Sequence, residues 1–326
     1  MRFLLTAEQR EFARTLDGML GASGTPAVVR AWAAGEQKPG RELWARIAAA
    51  GVFALAVPER HGGMGLLPVE LALSFVELGR HAVPGPLAET VASAAFLARL
   101  GEDATDEAWL PRIATGDAVV SLCAGVPYAV DADAADAVLL VQGDTVRRAD
   151  SHGPVQPSLD PARRLSRPLG GTVLAEGPAV TEAAAHAVDV ARLATAAQSL
   201  GLGRALLAAT VSHVRQRTQF QVAIGSFQAV KHRLADTLIG LDFAQPLVYA
   251  AALAVAAGAP SAGREVAAAK VAAGEAGYAA ARTALQLHGA LGYTEELDLS
   301  LWIRKARPLR DAWGTPAECR ARVLTG

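Results

Sequence analysis

Two stretches of this chain combine residue types that could do chemistry. The first runs from Gln286 to Thr315, QLHGALGYTEELDLSLWIRKARPLRDAWGT. Glycines at 289 and 292 let a backbone come close to a ligand. Tyr293 follows, and the adjacent carboxylates Glu295 and Glu296 occupy the loop beyond it. A carboxylate in such a loop can be aimed into a cleft as a proton acceptor; the plainer alternative is two solvated acids at a helix start. The second stretch runs from Arg217 to Gln228, RTQFQVAIGSFQ. The planar fork of an arginine donates paired hydrogen bonds to a diphosphate. An aromatic three residues on, Phe220, can lie along an adenosine or flavin face, and Gln228 adds an amide. Taken alone, a surface arginine followed by a core phenylalanine explains the same letters.

The elements that must position these residues are mostly helices. After the two acids, Leu299, Trp302, Ile303 and Ala306 recur at helical spacing. From 179 to 326 the pattern is helical throughout. Val188, Val190, Leu193, Ala197 and Leu200 share one face, and the segment from Arg217 to Gly258 reads as two helices broken near Ile224 and Gly225. SAGREVAAAKVAAGEAGYAAARTALQLHG reads as another long helix, and the Ala-rich composition as a tightly packed bundle. Residues 1–116 also read as helical. Thr6 and Gln9 have capping-box spacing, Leu43, Ile47 and Phe53 continue an apolar pattern, and Pro58, Gly62, Gly63 and Gly65 punctuate it before Pro84 and Pro86 close a further helix. Residues 117–178 change character. AVVSLCAG, DAVLLVQGDTVRRA and TVLAEG read as strands, with Gly143-Asp144 as a tight turn and a Pro- and Gly-rich loop between. The fold class expected is mainly α with a small β domain: helical 1–116, β 117–178, and a C-terminal helical bundle 179–326.

Composition excludes several classes. With 31 basic and 32 acidic residues in 326, the formal net charge of -1 argues against nucleic acid as the main partner. Two cysteines, Cys123 and Cys319, make neither a disulfide framework nor a metal spacing. The seven histidines show no metal-like spacing, and Ser212-His213 and Ser151-His152 lack an orienting acid nearby. Gly201-Leu-Gly203 follows no strand, so it is no dinucleotide fingerprint. The N-terminus does not read as a signal peptide. The longest apolar run, Leu247–Ala257, falls short of the ~20 residues of a membrane span and reads as a buried helix. A soluble cytoplasmic protein without a membrane span is expected.

The two stretches together resemble acyl-CoA dehydrogenases. Gln286, Gly289, Gly292 and Tyr293 resemble that family's Gln-x-x-Gly-Gly-x-Gly-Tyr/Phe run, Gly314-Thr315 its later Gly-Thr, and Arg217, Phe220 and Gln228 its Arg-x-x-Phe-Gly…Phe-Gln motif, with Gln221 where glycine is usual. The order Trp44 at a helix start, Val-Pro-Glu, Gly-Gly-x-Gly and Glu-Leu-Gly-Arg is similar to the family's N-terminal helical domain. The resemblance implies FAD as cofactor, contacted by Arg217, Phe220, Gln228, Gln286, Gly289, Gly314 and Thr315, the first three of these reaching the ADP half of a neighbouring subunit's flavin. It implies Glu296, four residues after Gly292, as the base that takes an α-proton from an acyl-CoA while the β-hydride goes to the flavin. Glu295 is the competing carboxylate, and Ala191 stands at the family's other base position. The chain departs from the family in the β domain. Ser121-Leu-Cys-Ala-Gly-Val-Pro127 replaces the ring-binding Thr-Glu-Pro-x-x-Gly-Ser-Asp, and no tryptophan lies between Trp109 and Trp302. That pattern resembles the reduced partner in heteromeric dehydrogenases for steroid or other bulky acyl thioesters. The implied function is an acyl-CoA dehydrogenase subunit of fatty acid or steroid catabolism, in a homo- or hetero-oligomer with a longer acyl-CoA dehydrogenase subunit, passing electrons to electron-transfer flavoprotein or a similar acceptor. The alternatives are a catalytically silent subunit that completes a partner's FAD site, and a flavin oxidase or monooxygenase of the same fold.

Overall fold

The computed structural model describes residues 4–101 and 103–325. Secondary structure changes where the composition does: helices to Thr115, strands from Val120 to Glu176, helices again from Pro178. Packing cuts across that order. Two compact units form, one from Met1–Pro26, Ala72–Val83 and Arg192–Gly326, the other from Ala27–Leu71 and Pro84–Ala191.

The N-terminal helices are α1 (Ala7–Gly21), α2 (Thr25–Ala33), α3 (Gln37–Ala49), α4 (Pro68–Arg80), α5 (Leu87–Leu100) and α6 (Asp103–Thr115). The capping box opens α1 as expected: Thr6 Oγ1 accepts from the Gln9 amide at 3.2 Å, and the Gln9 side chain accepts from the Thr6 amide at 2.9 Å. Trp44 lies past the middle of α3 rather than at its start, because the helix begins at Gln37; its ring stacks on Phe53 at 4.2 Å. In the punctuated segment a Cβ on Gly63 would stand 2.0 Å from the Val57 carbonyl oxygen, so that turn requires glycine.

The strands are β1 (Val120–Ala124), β2 (Ala129–Val130), β3 (Ala137–Gln142), β4 (Thr145–Arg148), β5 (Ser151–His152), β6 (Leu165–Ser166), β7 (Pro168–Leu169) and β8 (Thr172–Glu176). A four-stranded sheet runs β1-β3-β4-β8, with β1 parallel to β3 and the other pairs antiparallel. Gly143-Asp144 is the two-residue turn closing Gln142 onto Thr145, as the sequence predicts. Helix α5 is buried through Leu97 and is tied to β1 by Thr90 Oγ1, which donates to the Val120 carbonyl at 2.8 Å. Beside it lies a buried carboxylate, Asp131. One oxygen accepts from Trp32 Nε1 at 3.1 Å and from the Arg164 amide at 3.2 Å, while the other has no partner among the described residues. Burial pushes this carboxyl up to about 7, against the Trp32 and Arg164 hydrogen bonds.

Helices α7 (Pro178–Gln216), α8 (Gln228–Ala256), α9 (Ala262–His288), α10 (Leu299–Asp311) and α11 (Pro316–Thr325) follow. The glycines of Gly201-Leu-Gly203 are packing glycines. A Cβ on Gly201 would meet the Val76 carbonyl oxygen of α4 at 1.8 Å, and one on Gly203 would meet Leu241 of α8 at 2.5 Å. Helices α10 and α11 pack on α9. The stripe read from the sequence is there, with Leu299, Ala306 and Leu309 buried and Trp302 and Ile303 against them. Buried Lys270 donates to the Leu309 and Arg310 carbonyls at 3.1 and 2.6 Å, holding the last turn of α10. One expectation is corrected. The run Leu247–Ala257 is no buried helix of its own; it belongs almost wholly to α8, which is long and apolar enough to cross a membrane by length and composition, and within it Leu247 and Leu253 are exposed. Ile239, Phe243 and Leu247, spaced at successive turns, are exposed along one face.

Candidate functional site

The segment before α8 is not the helix its sequence suggested. After α7 ends at Gln216, β9 (Thr218–Gln219) pairs with β10 (Val222–Ala223) in a two-residue hairpin, and a short 3-10 turn at Ile224–Ser226 leads into α8. The expected break at Ile224 and Gly225 is present. The hairpin turn places Phe220 and Gln221 at φ +52° and +67°, the left-handed pair that a type I′ turn demands. Position 221 is where the family's pattern has glycine, and this φ is the physical reason a glycine suits it. Arg217 is fixed at the hairpin's base: its amide donates to the His213 carbonyl at 2.9 Å and its carbonyl accepts from Ile224 at 2.8 Å. Its guanidinium has no ion pair among the described residues. Phe220 is 88% exposed and meets Phe227 edge-on at 6.4 Å. The core-phenylalanine reading therefore fails, and the arm faces solvent.

Gln228 opens α8, whose first turns face the last turns of α9 across a cleft of about 830 Å³. Ala229, His232 and Arg233 line it from one side and Arg282, Gln286 and Gly289 from the other, with Tyr293 at its border. Gly289 ends α9 at φ +60°, with open space where a Cβ would be. Beside the arm, His213 and His288 stack at 4.1 Å, a pairing that sequence reasoning missed because the residues are far apart in the chain. Burial, His288 and Arg217 together lower the proton affinity of His213.

Gly314 and Thr315 lie elsewhere. Thr315 caps α11: its amide and hydroxyl both donate to the Glu318 carboxylate at 2.8 Å, and its hydroxyl accepts from the Glu318 amide at 3.3 Å. A Cβ on Gly314 would meet Cys319 Sγ at 3.0 Å, and Arg192 Nε donates to the neighbouring Trp313 carbonyl at 2.8 Å. Helix α11 is tied to the first half of α9 by Arg322, which donates to Gly263, and by the Arg320–Glu275 ion pair. Gln286 is near the other end of α9, about 17 Å along the axis from Glu275 at roughly 1.5 Å per residue. Within one chain, the seven residues expected to hold a cofactor thus form two groups.

The carboxylates do not enter the cleft. Glu295 pairs with Arg304 at 2.6 Å, and Glu296 is exposed on the loop before α10. α10 starts only at Leu299, and both acids are exposed on the loop before it. Ala191 is fully buried.

Residues 6–117 match the family described as acyl-CoA dehydrogenase, N-terminal domain, and residues 181–323 the family described as acyl-CoA dehydrogenase, C-terminal domain. The chain is 33% identical over 323 residues to acyl-CoA dehydrogenase IpdE2 of Mycobacterium tuberculosis, covering 97% of this chain and 96% of that protein. It is 33% identical to acyl-CoA dehydrogenase FadE34 of the same organism, over 91% of this chain but 44% of that longer one. Among solved structures it is similar to the Tcur3481-Tcur3483 steroid ACAD G363A variant, with TM-score 0.87 and 25% identity over 97% of this chain and 96% of that one. The ChsE4-ChsE5 complex from Mycobacterium tuberculosis matches with TM-score 0.84 and 25% identity over 99% and 98% of the two chains.

Proposed function

The chain belongs to the acyl-CoA dehydrogenase family, and from that premise we propose that it is one subunit of a heteromeric dehydrogenase whose flavin site is completed between chains. The observation that carries this reading is the Arg217–Phe220 arm, held rigidly by backbone hydrogen bonds and directed at solvent. An arginine and an aromatic fixed in that way are prepared for a ligand that their own chain does not enclose. Arg217, Phe220, Gln228, Gln286 and Gly289 would hold the ADP half of an FAD, while Gly314 and Thr315, at the start of α11, would serve a different flavin. The exposed apolar face of α8 is what a second subunit would cover.

When bound, FAD supplies the acceptor for the β-hydride of the acyl-CoA. This chain's part is to bind and orient: Arg217 by a bidentate grip on phosphate, Phe220 by its ring face, Gln286 by its amide. The proton acceptor in this reading comes from the partner. Removing an α-proton beside a thioester calls for a carboxylate armed by burial, and this chain gives Glu296 no burial and has alanine at 191. A steroid or other bulky acyl-CoA is the proposed substrate class, supported by the likeness to the Tcur3481-Tcur3483 steroid ACAD, and electron-transfer flavoprotein or a similar protein the proposed acceptor. Cys123 and Cys319 are free and buried, and burial pushes the Cys123 thiol up to about 11; both fit the reducing cytoplasm as the proposed location. The test is anaerobic mixing of bulky acyl-CoA thioesters with the complex of this chain and a longer acyl-CoA dehydrogenase subunit. Bleaching of the flavin band by the complex, and not by this chain alone, is expected. Equal bleaching by this chain alone would refute the two-chain site.

A further inference from the structure

Resting on the reading that the Arg217–Phe220 arm is half of a flavin site, we infer that the stacked imidazoles of His213 and His288 form a proton-sensitive joint that sets the position of the arm. His213 belongs to the last turn of α7, and the backbone of that turn seats the arm. The His213 carbonyl accepts from the Arg217 amide at 2.9 Å, and a Cβ on Gly225 would stand 3.0 Å from the Val214 carbonyl oxygen, so the turn leading into α8 lies against α7. His288 is buried in the last turn of α9, one residue before Gly289, and its Nδ1 donates to the Ala284 carbonyl at 2.8 Å. The two rings meet nearly parallel, with centroids 4.1 Å apart and planes 25° from one another. The stack therefore ties the base of the arm to the end of α9.

A proton on half-buried His213 sets a cation beside the Arg217 guanidinium and against the His288 ring. Arg215 follows on α7, and His232, Arg233 and Asp236 of α8 with Arg282 of α9 line the cleft beside Gly289. On the loop beyond Tyr293, Glu295 is engaged by Arg304 and Glu296 is exposed. Cations outnumber acids in this neighbourhood, so the proton adds to a positive field. Burial first, and then His288 and Arg217, hold the proton affinity of His213 below its ordinary value of 6.5. A group that binds its proton less tightly in the closed arrangement stabilises that arrangement above pH 6.5, and the contribution is lost as pH falls through the lowered value. The arm is thus held at neutral pH and loosened in mild acid.

Hydrogen exchange of the full chain without flavin reads the joint directly, because the amides of Arg217 and Ile224 make the two bonds that fix the arm. Their protection factors should fall about three- to tenfold between pH 7.5 and pH 5.5, the scale that one imidazole contributes about one unit below its ordinary value. His213→Phe keeps a flat ring for the stack and takes no proton, so its protection should hold across the range. His213→Lys carries a charge throughout and should show at pH 7.5 the low protection that the wild type reaches at pH 5.5. Wild-type protection unchanged over the range, or the same fall in His213→Phe, overturns the inference. Amides in the middle of α9 serve as the reference, and an equal fall there is general loosening and overturns it too. In the assembled complex, flavin affinity should fall over the same range in the wild type and stay level in His213→Phe; equal falls in the two count against the joint. Arg217→Gln separates the two claims. Flavin content unchanged by it would refute the half-site reading, while the exchange measurement, which involves no flavin, still decides the joint.

Discussion

Replacing Arg217 by lysine isolates the chemistry of the arm. The substitution keeps the positive charge, the chain position and the two backbone hydrogen bonds of 2.9 and 2.8 Å that fix the residue. It removes the planar fork, so a bidentate grip on a diphosphate becomes a single contact. One charge-assisted hydrogen bond is worth about 1.5–3 kcal/mol, on the order of ten- to hundredfold in affinity. Because Arg217 is exposed in this chain, the lower end applies unless the partner subunit excludes water from the pair. The assay is a fluorescence-quench titration of FAD into the stripped complex. An internal control comes from His213, which Arg217 acts on through its charge: the lysine variant should leave the titration of His213, followed by NMR, almost unchanged. Flavin affinity equal to wild type would show that Arg217 holds no phosphate.

Glu296→Gln should leave flavin content intact and change the single-turnover bleaching rate of the complex by less than about threefold, since an exposed carboxylate is not the armed base; a loss of several orders of magnitude would return the proton abstraction to Glu296. Asp131, raised to about 7 from an ordinary value of 3.8, binds its proton more tightly in the folded chain, so its contribution to stability is present below about 4 and is lost as pH rises toward 7, by at most about 4 kcal/mol. Urea midpoints measured across that range should fall with pH in the wild type and flatten in Asp131→Asn, which keeps an acceptor for Trp32 and Arg164; an unaltered slope would refute it.

Much of the fold is legible in the sequence where one residue dictates one geometry. Thr6 with Gln9, Gly143 with Asp144, and the stripe through Leu299, Trp302, Ile303 and Ala306 each specify local structure by their own chemistry, and each is found as read. The hairpin at Thr218–Ala223 was not legible, because its left-handed turn is built from Phe220 and Gln221 rather than from glycine or asparagine. The same holds for α8. An Ala- and Leu-rich run says that a helix is apolar, not whether a face such as Ile239, Phe243 and Leu247 is packed or left exposed. Arg217, Gln286 and Gly289 are singled out by the family resemblance, but the division of the expected cofactor residues into two groups comes from the packing of α10 and α11 on α9. The stacking of His213 on His288 likewise arises only when α7 and α9 are brought together. That Glu296 is exposed on its loop is not legible in the sequence, because spacing carries no information on which way a loop turns.

The central claim is that the flavin site is shared between two unlike chains, and flavin stoichiometry tests it most directly. The chain should be purified alone and, separately, co-expressed with a longer acyl-CoA dehydrogenase subunit, and FAD should be quantified by absorbance after denaturation against protein concentration. The account predicts little or no flavin on the chain alone, and fewer than one flavin per chain in the complex. A yellow homo-oligomer of this chain carrying one FAD per subunit would contradict it.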